Sequence, residues 1–186
     1  MYDAYERLWH WLQAAAILLP ILCLMDLVGL WAYRGRWVWP ELRILVPASM
    51  IGILAGTLLF GFMSAAAVRI IVGIVAIVFT LHYVYSMRHR HDSALPHFSP
   101  AVGMAAGAAG GFTSFIAHSG GPPISMYLLR RPLDRTDFVA TTVLLFAAIN
   151  YVKLLPYGWL GQLSAGNLVT SLVLAPLAPI GVYTGV

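Results

Sequence analysis

Apolar residues dominate this chain in runs that are long enough to cross a bilayer. A spanning helix needs about 20 mostly apolar residues. Segment A, from about Leu12 to Tyr33, meets that length, as do segment B from Ile44 to Met63 and segment C from Ala66 to Met87. Segment E runs from Phe138 to Leu155, and segment F is apolar from near Leu168 to Val186. Each is predicted to be a membrane-spanning helix. Trp9 and Trp11 stand at the start of A, and Trp31, Trp37 and Trp39 at its other end. Such positions suit the aromatic belts of membrane interfaces. No signal peptide is read at the start, where Arg7 precedes an apolar stretch without a small-residue cleavage site.

Between C and E the pattern changes. Pro100–Leu129 is apolar but interrupted at Gly110, Gly111, Ser119, Gly120, Gly121, Pro122 and Pro123. Proline removes a backbone donor and clashes with the preceding turn, and it pushes residue 121 out of the helical region. Proline is welcome in the first turn of a new helix. The pattern therefore predicts two short helices, about 100–117 and 122–131, with an irregular break at His118–Gly121. Such backbone survives at membrane depth only when buried in protein or lining a cavity.

Composition agrees. The 186 residues are 60% hydrophobic and 10% charged, with a mean hydropathy of +0.82. Soluble domains carry roughly a quarter charged residues. An ordinary soluble enzyme, a disordered chain and a nucleic-acid-binding module are excluded. Cys23 is the single cysteine, which leaves no disulfide framework, and its apolar surroundings suit a small core residue.

Charge sets the expected topology. Eight of the 11 basic residues fall in three loops: Arg34, Arg36 and Arg43; Arg88 and Arg90; and Arg130, Arg131 and Arg135. Basic loops favour the cytoplasmic side, so loops 34–43, 88–92 and 130–135 are expected there. A broken segment that crossed once would put its two basic flanks on opposite faces. A hairpin that enters and returns keeps both inside and is the preferred reading.

An internal repeat is also expected. Val46–Gly56 reads VPASMIGILAG and Ala175–Gly185 reads APLAPIGVYTG, with proline, isoleucine and two glycines in register at an offset of 129. A and E align more loosely, which sets Asp26 opposite Asn150. A unit of one hairpin and three spans crosses an odd number of times, so its second copy is inverted, as in many secondary transporters. On this reading 12–87 is the remainder of a first repeat and 100–186 a truncated second one. A hairpin before A and a helix after Val186 are then missing.

The run GGFTSFIAHSGGPPISMYLL, Gly110–Leu129, closely resembles the second-half signature of the TauE/SafE family of sulfite-exporter-like membrane proteins. LLPILCLMDLVGLWAYRGRW, Leu18–Trp37, looks like that family's second helix and following loop. The resemblance covers roughly residues 12–186, while residues 1–11 do not resemble the family. It implies an all-α polytopic transporter of the inner membrane that exports sulfite, small organosulfonates or a related anion. It implies no cofactor and no nucleic acid, and it leaves a homo-oligomer open.

The residues support an anion site without the family. A helix beginning at Pro122 aims its free N–H groups and positive dipole end at Ser119–Gly121. Pro122 and Pro123 themselves have no N–H. Ser119, Gly120, Gly121, Ile124 and Ser125 would supply the donors, and Thr113, Ser114 and Ser119 add hydroxyls. That set would hold a small oxyanion without a fixed cation. The plainer alternative is that glycine and proline only permit tight packing. His118, with an unperturbed pKa near 6.5, could bind the anion or carry a coupling proton, or simply hydrogen-bond a carbonyl. Asp26 could bind a coupling cation, pair with Asn150 or Lys153, or make a structural bond between helices. Asn150 and Tyr151 could face the pathway. Lys153 is expected to snorkel outward, and Arg69 likewise.

Rivals remain. ERLWHWLQ, Glu6–Gln13, is similar to the first helix of cytochrome-b-type subunits. Haem would need facing axial ligands, yet His10 and His82 fall at opposite faces and His118 has no evident partner. A non-transporting fragment or assembly protein is the other alternative. RHRHD, Arg88–Asp92, suits a solvated loop better than a metal site. No catalytic constellation is present, and no enzyme is expected.

Overall fold

The structure, a computed structural model, describes residues 2–88 and 99–180. Seven helices follow in order: α1 Tyr2–Ala32, α2 Trp39–Phe60, α3 Ala65–Arg88, α4 Pro100–Ala117, α5 Gly121–Leu128, α6 Arg135–Trp159 and α7 Ala165–Leu174. No strand occurs among the described residues. Segments A, B, C, E and F correspond to α1, α2, α3, α6 and α7, with most ends displaced by a few residues. The exceptions are the start of α1, carried back to Tyr2, the start of α2 at Trp39, and the end of α7, where a turn follows Leu174 and leaves segment F shorter than a span within the described residues. Pro40 lies in the first turn of α2, where proline suits a helix. Loop residues 89–92, with Arg90, and the last five residues of the repeat motif lie outside the described residues.

Four helices are long and apolar enough to cross a membrane: Leu12–Ala32 within α1, then α2, α4 and α6. Their outer faces carry large apolar residues such as Leu27, Ile51, Leu58 and Leu155. Their inner faces are unusually polar. Ser49, Thr113, Ser114, Asn150 and Lys153 are all buried. This is the distribution expected where the solvent outside is hydrocarbon.

The hairpin between α4 and α5 is present. A Cβ on Gly103 would meet the Tyr127 ring at 2.7 Å, and one on Gly110 would meet Ile124 at 2.7 Å. The end of α5 therefore lies beside the start of α4, and its start beside the middle. Two short helices of 18 and 8 residues fold back on one another, and the second runs Gly121–Leu128 rather than 122–131, with Gly121 helical despite the proline that follows it.

The α4 helix lies parallel to α2, and small residues make the approach. A Cβ on Gly52 would drive into the Ala108 carbonyl oxygen, and one on Gly111 into the Ser49 carbonyl oxygen. Gly107 faces Ala48 and the Leu45 carbonyl. The Ser49 hydroxyl donates to Gly107 O at 3.1 Å. Small residues are the means by which membrane helices come close enough for dispersion to hold them. The α1 and α6 helices run antiparallel: Gly29 meets Val143, Asp26 meets Asn150 and Cys23 meets Tyr151.

Ion pairs gather at one end of the bundle. Arg36 donates to Asp134 and Asp137 at 2.9 Å each. Arg131 Nε donates to Glu41 at 2.6 Å, and Tyr127 Oη donates to the other Glu41 oxygen at 2.7 Å. The loops holding Arg36 and Arg131 thus share an end. Asp134 caps α6, accepting from Asp137 N at 2.7 Å. That bond, and then the Arg36 guanidinium, hold the exposed Asp134 carboxyl below the usual carboxylate range.

Two predictions follow from these contacts. Gly52→Ala or Gly111→Ala should destabilise the bundle by about 1–3 kcal/mol, as overpacking does. Gly73→Ala, where nothing lies within 4 Å, should not. Thermal unfolding in detergent measures the difference. A lowered carboxyl pKa contributes stability that is present above the ordinary carboxylate range and lost as pH falls through the folded value. Asp134→Asn, which keeps a capping oxygen, should therefore flatten the acid limb of the unfolding profile.

Candidate functional site

Helix α4 ends at His118, whose backbone is left-handed with φ 50° and ψ 27°. Few residues other than glycine adopt that conformation, although histidine is among those enriched there. The turn lets the His118 N–H donate to Ser114 O at 3.0 Å and the Ser119 N–H to Thr113 O at 3.3 Å. The Thr113 hydroxyl lies 3.0 Å from Ser119 O and 2.7 Å from Ala109 O. The Ser119 hydroxyl donates to Ala117 O at 3.1 Å. Both hydroxyls therefore serve the backbone of the break. The Ser119 N–H, expected among the anion donors, is already spent.

Gly120 and Gly121 differ. A Cβ on Gly120 would come within 2.6 Å of Gly110 O and 2.9 Å of the Ser114 side chain. Glycine at 120 is what lets the start of α5 rest on α4. Nothing lies within 4 Å of a Cβ on Gly121, so the first turn of α5 faces open space. Pro122 and Pro123 follow, and the N–H groups of the first turn have no intrahelical partner.

Lys153 changes the electrostatics. It is fully buried, not snorkelling outward. Its Nζ donates to Ser114 O at 3.2 Å, to Ser114 Oγ at 3.1 Å and to His118 Nδ1 at 2.9 Å. Three ammonium protons thus meet three acceptors, and none of them is charged. The physical reason is position. Lys153 sits on the inner stripe of α6, beside Asn150 and Tyr157, and reaches the C-terminal carbonyls of α4, where the helix dipole favours a cation. The expectation of a site without a fixed cation is corrected by this residue. No local sequence pattern marks it, because its partners are 35 and 39 residues away.

His118 Nε2 lies 2.9 Å from Ala15 O. A carbonyl only accepts and an ammonium only donates. Nε2 therefore carries the hydrogen, Nδ1 accepts from Lys153, and the imidazole is neutral in this arrangement. Tyr157 Oη donates to Phe115 O at 2.7 Å. Asn150 Nδ2 donates to Asp26 Oδ2 at 2.8 Å, and Tyr151 Oη donates to Cys23 O at 3.2 Å. The break and the α1–α6 interface thus join in one polar region. Arg69 is exposed on α3, away from it. A cavity of about 320 Å³ between α3, α4 and α5 is lined almost wholly by apolar side chains, Ile74, Val102 and Met126 among them, and offers an anion no donors.

Tyr157→Phe should leave Phe115 O without its donor and cost about 1–3 kcal/mol. Thermal unfolding should show that loss with Lys153 still in place.

The chain matches the family model described as sulfite exporter TauE/SafE over residues 8–186. No curated protein and no solved structure matches it. The match spans nearly the whole chain, and this protein belongs to the TauE/SafE family of multi-pass membrane transporters, which move small anions and are not enzymes.

Proposed function

We propose that this member of the family exports sulfite or a small organosulfonate across the inner membrane, and that the anion binds at the break between α4 and α5. The observation that carries this reading is Lys153. A buried ammonium bonded only to neutral oxygen and nitrogen atoms leaves positive charge in a medium of low dielectric. The first turn of α5 opens beside it: Ser114 touches both Lys153 Nζ and the position of Gly120. An oxyanion there would accept from the N–H groups of Gly120 and Gly121 and balance Lys153. Thr113, Ser119, Pro122 and Pro123 shape the turn. Ser114, His118 and Asn150 set the ammonium and its surroundings.

Two features support an inverted repeat around this site. The α1 helix touches α7, where Ser171 Oγ donates to Ile17 O at 2.7 Å. The α2 end of the bundle touches α6 in the corresponding way, where Val38 N donates to Thr141 Oγ1 at 3.1 Å. Asp26 also bonds Asn150, the residue that the repeat alignment sets opposite it. Residues that touch their own counterparts lie on the two-fold axis, at the depth where such transporters hold their substrates. The shared end of loops 34–43 and 130–135 supports a cytoplasmic face there.

Purified protein in liposomes should exchange radiolabelled sulfite, with small sulfonates competing. Lys153→Met should lower exchange at least about 100-fold. Lys153→Arg, which keeps the charge, should retain part of it with a raised KM. Gly121→Val should abolish exchange while leaving the unfolding temperature near that of the parent, because its side chain enters open space. Sulfite exchange by folded Lys153→Met at the parental rate would refute the site. Folded parent protein that moves neither sulfite nor sulfonate would refute the substrate class.

A further inference from the structure

Among the described residues no anionic group touches Lys153, yet a carboxylate on α1, Asp26, bonds the residue one turn before it on α6. Asp26 is half-buried and accepts from Asn150 Nδ2 at 2.8 Å, and Asn150 stands one turn before Lys153 on α6. Asp26 and Lys153 act on each other electrostatically. One ammonium and one carboxylate leave the empty site near neutral. A monoanion entering at the break upsets that balance. At an effective dielectric of about 20, unit charges a few ångströms apart interact by well over thermal energy.

We propose that Asp26 is the coupling carboxylate, which takes up one proton when a sulfur oxyanion occupies the break. This deepens the reading above and rests on it. The proton goes to a carboxylate oxygen of Asp26 and makes a neutral carboxylic acid. The oxygen that accepts from Asn150 keeps that bond. The charge total with the anion bound is then again zero.

The neighbouring groups do not serve in its place. On α1, Cys23 is neutral as a thiol and can only lose a proton. From α6, Tyr151 likewise can only lose one, and the Lys153 Nζ is already engaged with three acceptors on α4 and the break. From α4, His118 has one nitrogen donating to Ala15 O and the other accepting from Lys153. A second proton on that ring would displace the ammonium and set two cations side by side. Helix α7 presents Asn167 and Ser171 to α1, at Gln13 and Ile17, and neither titrates. Helix α3 carries Arg69, exposed and at the opposite end of the bundle from the basic loops, and a guanidinium only donates.

The test measures protons directly. Methanesulfonate stays a monoanion across the neutral range, so any proton taken up on binding belongs to the protein. Full-length protein in detergent is mixed with methanesulfonate in weak buffer containing a pH dye. The parent should take up about one proton per bound anion, and Asp26→Asn should bind the anion with no uptake. The exchanged pair Asp26→Asn with Asn150→Asp keeps both hydrogen-bonding groups and should restore uptake. It also tests the proposal if the single variant does not fold. Uptake by Asp26→Asn equal to that of the parent, or binding by the parent with no uptake, overturns the coupling role and leaves the anion site standing. Folded parent that binds neither methanesulfonate nor sulfite overturns the function and the coupling together.

Discussion

A helix broken at membrane depth must find partners for its exposed backbone ends, and the rest of this molecule is arranged around that need. The break at His118–Gly121 frees the last carbonyls of α4 and the first N–H groups of α5. Three of the last four carbonyls of α4 are satisfied from within. Lys153 and the His118 N–H take Ser114 O, Tyr157 takes Phe115 O, and the Ser119 hydroxyl takes Ala117 O. The donor side is not filled in the same way, because the first turn of α5 opens onto space at Gly121. That asymmetry, together with the buried Lys153 ammonium, is what supports the proposed anion site at the break.

Close packing positions these groups. Gly52 and Gly111 let α2 and α4 approach backbone to backbone, which fixes the depth at which α4 ends. Gly110 and Gly120 let α5 fold onto α4, which turns the first turn of α5 toward Ser114. Helix α6 then lays one stripe along the break, with Phe146 against Gly120, Asn150 toward Asp26, Lys153 at the carbonyls and Tyr157 below. The same glycines that a packing explanation would invoke are thus what brings the polar groups together. Close packing and the proposed anion site would draw on one set of contacts, so glycine content alone does not separate them. Lys153 does, because lipid-facing packing gives no reason to bury an ammonium.

Much of this was legible in the sequence because membrane helices announce themselves by length. The glycines and prolines after Ala117 placed the end of α4, but α5 starts one residue earlier than they implied, because Gly121 takes the first helical position before Pro122. Asn150 was one of two partners that the sequence offered Asp26, and the structure pairs them while Lys153 turns to α4. Lys153 was not legible. A lysine inside an apolar run shows the same local pattern whether it snorkels to an interface or turns inward, and the choice is made by Ser114 and His118 on another helix. The fates of the Thr113 and Ser119 hydroxyls were hidden for a similar reason. Short polar side chains compete for nearby backbone groups, and only the left-handed turn at His118 decides which carbonyls come within reach.

The two kinds of charge in this molecule divide its labour. The pairs of Arg36 with Asp134 and Asp137 are exposed, and such pairs add little to stability. They fix which helix ends meet. The Glu41–Arg131–Tyr127 group is more buried and ties the end of α5 to the start of α2, so the hairpin is anchored at its base. Its tip at the break is held by backbone bonds from His118 and Ser119, by side-chain bonds and by glycine contacts. Inside the bundle, Lys153 and Asp26 do not touch each other and are each bonded to neutral groups. Two opposite charges that were there only to stabilise the fold would gain most by direct contact. Held apart by Asn150 on one side and His118 on the other, they leave the ammonium free to answer a third charge, and this separation ties the coupling carboxylate and the anion site into one device.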